Sequence, residues 1–159
     1  RCCTEGRDIK MNPESTKSKS RILILCVGNS CRSQMAEGFL KSFDPDLEVF
    51  SAGTNPAGAV NSRAVKVMKE SGIDISNNKP KNVDQFLKES FDYVITVCDN
   101  AKETCPVFSG NVKNRLHVSF RDPAEAIGSE DEIIKIFRQV RDEIREKFLE
   151  FYKSNFRYV

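Results

Sequence analysis

The sequence predicts an α/β fold, a three-layer α/β/α arrangement around a four-stranded parallel sheet. Three observations carry that prediction. Short apolar runs bounded by turn residues alternate with segments of helical period along the chain. The clearest run, Ile22 to Val27, is apolar at every position, as expected of a strand buried on both faces of a parallel sheet. And 159 residues suffice for one such domain with a proper core, but hardly for two.

Taken in order, residues 1–20 are polar and lack an apolar period, so a disordered N-terminal extension is expected there, with a single domain over 21–155. After the Ile22–Val27 strand comes a glycine-containing loop. A helix is then expected over Ser33–Phe43, with Met35, Ala36, Phe39, Leu40 and Phe43 at helical spacing. Leu47–Ala52 reads as the next strand, ended by Gly53 and the Pro56 and Gly58 turn signals. Asn61 suits the cap of a helix with Ala64, Val65, Val67 and Met68 on one face, closing at Gly72. A short helix over Asp84–Lys88, a strand over Phe91–Cys98 and a weaker strand over Arg115–Phe120 follow. The chain finishes with a long amphipathic helix, Ser129 to about Tyr152. In an open sheet of this kind ligands bind beyond the carboxyl ends of the strands, at the topological switch point. The loops after Cys26, after Cys98 and around Asp122 each follow an expected strand, so all three are expected at one edge of the sheet.

The bulk properties exclude several classes. The formal net charge of +2 is too mild to argue for nucleic acid. No apolar run approaches the ~20 residues of a membrane span, and no charged segment followed by an apolar stretch opens the sequence, so a cytoplasmic location is expected. Six cysteines, at 2, 3, 26, 31, 98 and 105, accompany a single histidine, His117, with no CxxC pair. A metal site and a cofactor are therefore not expected. His117 reads as a strand-end residue with a local partner.

The chemistry concentrates in Cys26-Val27-Gly28-Asn29-Ser30-Cys31-Arg32-Ser33. This segment leaves a buried strand and enters a helix, so its backbone N–H groups can curl into an anion-binding nest at a helix N-terminus. Gly28 is expected to permit a positive φ, and Asn29 is among the few other residues that tolerate one. Arg32 offers a planar fork for two oxygens of a tetrahedral anion. Cys26 stands where N–H dipoles and Arg32 favour a thiolate, with Ser33 able to bond the sulfur. Val27 to Ser33 is thus the expected anion-binding set, and Cys26 the nucleophile. Cys31, whose backbone the loop needs, is given no redox step.

These residues, with Gln34-Met35-Ala36-Glu37-Gly38, Ser51-Ala52-Gly53, Asp74-Ile75-Ser76-Asn77, Cys98-Asp99 through Cys105-Pro106, Asp122-Pro123-Ala124 and Arg138 to Ile144, resemble the low-molecular-weight protein tyrosine phosphatase superfamily. Within it the sequence is most similar to the thioredoxin-coupled arsenate reductases. The resemblance runs from about Arg21 to Phe151. It implies that Asp122 is the general acid, a role suited to a carboxyl on a loop stiffened by Pro123. It also implies a thiol relay. Cys26 attacks the arsenic of bound arsenate, Cys98 attacks Cys26 and releases arsenite, Cys105 takes over Cys98, and thioredoxin reduces the resulting disulfide. Asp99 is able to cap a short helical turn over residues 101–104. If that turn is helical, Cys98 and Cys105, seven positions apart, lie about 10 Å apart along its axis. A disulfide needs Cα atoms within about 7 Å, so the pairing requires local unwinding.

Some members bind potassium beside the loop through residues matching Asn29, Glu37 and Ser51 plus a downstream Asp. Here Lys81 stands at that last place, so an ammonium is expected to substitute for the ion. Two other readings remain open. A phosphatase hydrolysing phosphate monoesters needs only Cys26, Arg32 and Asp122, and a weak phosphatase side activity is compatible with the reductase reading, so it does not decide between them. Ala124 stands where tyrosine phosphatases often carry Tyr. A non-catalytic anion or redox sensor would need neither nucleophile nor acid.

Overall fold

The computed structural model describes residues 19–98 and 109–156. Its four strands are β1 (Arg21–Cys26), β2 (Glu48–Gly53), β3 (Phe91–Thr96) and β4 (Val112–His117). They form one all-parallel sheet in the order β2-β1-β3-β4. Three α-helices, α1 (Arg32–Phe43), α2 (Ser62–Glu70) and α3 (Glu130–Asn155), and two 3-10 turns at Val83–Phe86 and Pro123–Glu125 complete the described elements. The expected α/β fold with four parallel strands is what the chain adopts.

β1 is central, paired with β2 on one side and β3 on the other, which explains its unbroken apolar run. Ile22 and Ile24 face the core shared with α1, α2 and α3, while Leu23 and Leu25 face Val83, Phe86, Phe91 and Val94. All four are essentially inaccessible, and each such side chain contributes about 1.5–3 kcal/mol. On the helix side α3 supplies Ile134, Phe137, Val140, Ile144 and Phe148, a stripe at helical spacing. Ser129 and Glu132 close a capping box at its start. Glu70 at the end of α2 receives both Arg138 and Arg141 of α3, which ties the two helices together. Among the described residues no helix is long and apolar enough to cross a membrane.

Several boundaries differ from expectation, for identifiable reasons. β4 lies three residues earlier than Arg115–Phe120, because Val112 pairs with Phe91 at the start of β3. As an edge strand its residues are mostly exposed, so no alternation marks it. Phe120 is used instead as a core residue, stacked on Phe148 of α3. The turn expected over Asp84–Lys88 is a 3-10 helix one residue earlier, capped by the Asn82 side chain, which accepts from the Asp84 N–H. Asn61 caps α2 as expected, accepting from the N–H groups of Arg63 and Ala64. Residues 1–18 of the extension expected over 1–20, the turn over 101–104 and Cys105 lie outside the described residues.

Candidate active site at the β1/β3 switch point

From β1 the chain crosses to β2 on one side, and the later strands add on the other. The crevice of this sheet therefore opens at the carboxyl ends of β1 and β3. Cys26 ends β1 and Cys98 lies two residues past β3. Both line a cavity of about 330 Å³, together with Val27, Gly28, Ser30, Cys31, Arg32, Asp122, Ala124 and Glu125. That size suits a small ligand. Cys26, Cys98 and Asp122, expected at one edge of the sheet, meet there; the residues after Cys98 lie outside the described ones. Asn29 and Ser33 do not line the cavity; they are fully buried behind it.

The loop turns on Asn29, whose φ of 51° is the one positive value at a non-glycine among the described residues. Of the two residues expected to tolerate that conformation, Asn29 has it and Gly28 does not. Asn29 takes it because its side chain is anchored, as follows. Its Oδ1 accepts the Lys81 backbone N–H at 2.8 Å and Gln34 Nε2 at 3.1 Å. That fixes the amide, so Nδ2 donates to Ser33 Oγ (2.8 Å) and Ser51 Oγ (2.9 Å). Ser33 then has its own O–H left for Cys26 Sγ, 2.9 Å away, and Ser51 directs its hydroxyl to Glu37. The Asn29 N–H also reaches Cys26 Sγ at 3.1 Å. Two donors meet on the sulfur, and each is worth more to a charged sulfur than to a neutral one. The N-cap of α1, Cys31, makes no side-chain cap, which leaves first-turn N–H groups and the positive end of the helix dipole for an anion.

Arg32 is buried. It donates from Nη1 to the Phe120 carbonyl at 3.1 Å, and its Nη2 lies 3.5 Å from Asp122 Oδ2. Asp122 is itself held by the Ala124 N–H on Oδ1 (3.0 Å), so its other oxygen faces Arg32. Burial, reinforced by the Asp122 charge, pushes the Cys31 thiol up to about 12. Cys31 is a protonated thiol at any ordinary pH, a poor nucleophile despite lining the cavity. Cys26, Cys31 and Cys98 are thiols outside any disulfide.

Behind the loop, buried Glu37 is paired with Lys41 Nζ at 2.6 Å. Lys81 was expected to place its ammonium there. Instead its Nζ bonds the Lys79 carbonyl at 3.1 Å, while burial lowers its basicity and the Glu37 charge partly restores it. The cation beside Glu37 is thus Lys41, with Lys81 acting at longer range. Among the described residues no group of three or more His, Cys, Asp or Glu side chains is placed to hold a metal ion. His117 meets Thr96 Oγ1 through Nδ1 at 2.7 Å.

Two residues that shape the loop stand in the quoted motifs without a role assigned to them. A Cβ on Gly53 would stand 2.3 Å from the Val27 carbonyl oxygen, so the loop rests directly on the end of β2 and only glycine fits. The signal was present, since Gly53 closes a strand beside the loop, but it read as a strand terminator. Gln34, fully buried, bonds Asn29 and the segment at 78–79; in the sequence it is merely a polar helix residue.

Comparison with known proteins agrees with this architecture. The profile of the low molecular weight phosphotyrosine protein phosphatases matches residues 21–155. An arsenate reductase of Halalkalibacterium halodurans is 47% identical over 135 residues, 84% of this chain and 96% of that protein. The arsenate reductase of Bacillus subtilis is 47% identical over 131 residues, 82% and 93% of the two chains. Among solved structures, an arsenate reductase in the phosphate-binding state superposes with a TM-score of 0.73 at 28% identity, covering 85% of this chain and 98% of that one. The chain belongs to the low molecular weight phosphotyrosine protein phosphatase family.

Proposed function

We propose that this protein reduces arsenate to arsenite by a thiol relay through Cys26, Cys98 and Cys105, regenerated by thioredoxin. The observation that carries this reading is the pair of thiols, Cys26 and Cys98, in the wall of one cavity with Arg32 and Asp122. Arsenate reductases that match almost end to end support the choice of substrate.

This reading implies a sequence of steps in which atoms and electrons balance. Loop N–H groups and Arg32 bind the anion, and the Cys26 thiolate attacks arsenic while Asp122 protonates the oxygen that leaves as water. The Cys98 thiolate attacks Cys26 sulfur. The S–As bond breaks with its electron pair passing to arsenic, so arsenic falls from the +5 to the +3 state and arsenite departs. The two sulfurs supply the two electrons and become a disulfide. Cys105 attacks Cys98, returning Cys26 as a thiolate, and the dithiol of thioredoxin reduces the Cys98–Cys105 disulfide.

Hydrolysis of phosphate monoesters would use Cys26, Arg32 and Asp122 alone and leave Cys98 idle. The two readings separate in one assay, arsenate-dependent NADPH oxidation with thioredoxin and thioredoxin reductase. Activity is expected, and each of Cys26→Ser, Cys98→Ser and Cys105→Ser abolishes it. Turnover that survives Cys98→Ser contradicts the relay, and phosphotyrosine-peptide hydrolysis without arsenate turnover selects the phosphatase. A weak phosphatase side activity is expected alongside reduction, because phosphate and arsenate share shape and charge.

A further inference from the structure

We propose that Gln34 is the positioning residue of the anion loop and couples it to the strap of residues 78–81; this rests on the reading of Cys26 as the nucleophile. Gln34 lies in the first turn of α1, inaccessible to solvent, and makes four polar contacts. Its Nε2 is surrounded by oxygens: the Asn29 carbonyl at 3.1 Å, Asn29 Oδ1 at 3.1 Å and the Lys79 carbonyl at 3.3 Å. Its Oε1 accepts from Asn78 Nδ2 at 3.1 Å. The orientation of the amide is therefore fixed by its surroundings.

One side chain thus holds Asn29 by both its main chain and its side chain. Asn29 is the residue in the left-handed conformation, and its own N–H touches Cys26 Sγ. The strap completes the clamp, because the Lys81 N–H bonds the same Oδ1 and the Lys81 carbonyl accepts from the Gly53 N–H. Freed of this clamp, Asn29 is able to relax to an ordinary φ. That rotation swings its N–H off the sulfur and disturbs the Asn29 bond to Ser33. Anion binding by backbone donors depends on such preorganisation. Gln34 touches no substrate, and its effect is exerted through Asn29.

The test uses Gln34→Met, which keeps the buried volume but removes the amide, and Asn78→Ala, which removes only the partner of Oε1. Inorganic phosphate is titrated calorimetrically, and iodoacetamide alkylation of Cys26 is followed against pH by mass spectrometry. Gln34→Met is expected to weaken phosphate binding about tenfold, the scale of one or two lost buried hydrogen bonds, and to move the alkylation profile to higher pH. Asn78→Ala is expected to do the same to a smaller extent. A residue that serves only the stability of the fold would leave the pH profile of the folded fraction in place. The proposal is overturned if Gln34→Met matches the wild type within twofold in both measurements. If Gln34→Met does not fold, an unchanged Asn78→Ala overturns it and a shifted Asn78→Ala supports it. A wild-type protein that neither binds phosphate nor alkylates preferentially at Cys26 refutes the nucleophile reading instead, and the proposal with it.

Discussion

Replacing Ser33 with alanine removes one of the two donors that meet on the Cys26 sulfur and leaves the rest of the loop in place. Ser33 is fully buried, its Oγ lies 2.9 Å from Sγ, and the Asn29 amide occupies its acceptor side. That leaves the hydroxyl proton available to the sulfur, the direction a thiolate requires. A hydrogen bond to a charged group contributes about 1.5–3 kcal/mol. The Asn29 N–H remains on Sγ, so the lower part of that range applies, and about 1.4 kcal/mol corresponds to a factor of ten. Asn29 Nδ2 keeps Ser51 as an acceptor, which limits collateral damage. Ser33→Ala is therefore expected to slow iodoacetamide alkylation of Cys26 at pH 7 about tenfold and to slow turnover comparably, while phosphate affinity falls much less. Stopped-time alkylation with peptide mapping measures this directly. Alkylation within twofold of wild type across the pH range would refute the polarity assigned to the Cys26–Ser33–Asn29 contacts.

Three further predictions follow from the same geometry. In Gly53→Ala the new methyl would stand 2.3 Å from the Val27 carbonyl against an ordinary contact of 3.4 Å or more, so the loop must move by about 1 Å. Steady-state assays are expected to show about a hundredfold loss of kcat/KM, the scale of such a displacement. Asp122→Asn removes the proposed proton donor but keeps a polar side chain; kcat is expected to fall about 10²- to 10⁴-fold with phosphate binding retained, as calorimetry can check. The guanidinium groups of Arg138 and Arg141 hold the Glu70 carboxyl down at about 2, below its ordinary value of 4.5. Its contribution to stability is present above the unfolded value and is lost as pH falls toward 2. Thermal unfolding from pH 5 to pH 2 is thus expected to show a shallower pH slope in Glu70→Gln than in wild type.

Some of this architecture is written plainly in the sequence. Ile22–Val27 is apolar throughout because β1 sits between two partners and between two cores, and Asn61 announces α2 because a capping side chain is a local device. β4 is obscure for the opposite reason: on the exposed edge, nothing imposes alternation on Val112–His117, and the apolar Phe120 nearby belongs to a different layer. In α1 the amphipathic pattern fails as a guide. Every residue from Arg32 to Leu40 is buried, because Met35 and Phe39 pack on the core while Ser33, Gln34 and Glu37 serve the polar network behind the loop. Which of Gly28 and Asn29 turns left-handed is likewise not a local matter. It is decided by partners that come from residues 34, 51 and 81, remote in sequence.

The central claim is that Cys26 and Cys98, facing one cavity, jointly supply the two electrons that reduce arsenate. A single turnover of the pre-reduced Cys105→Ser variant tests it most directly, with thioredoxin absent and free thiols blocked before peptide mapping. The account predicts one arsenite per chain and a Cys26–Cys98 disulfide in equal amount. Arsenate left unreduced, or arsenite formed while Cys98 stays fully alkylatable, would contradict it.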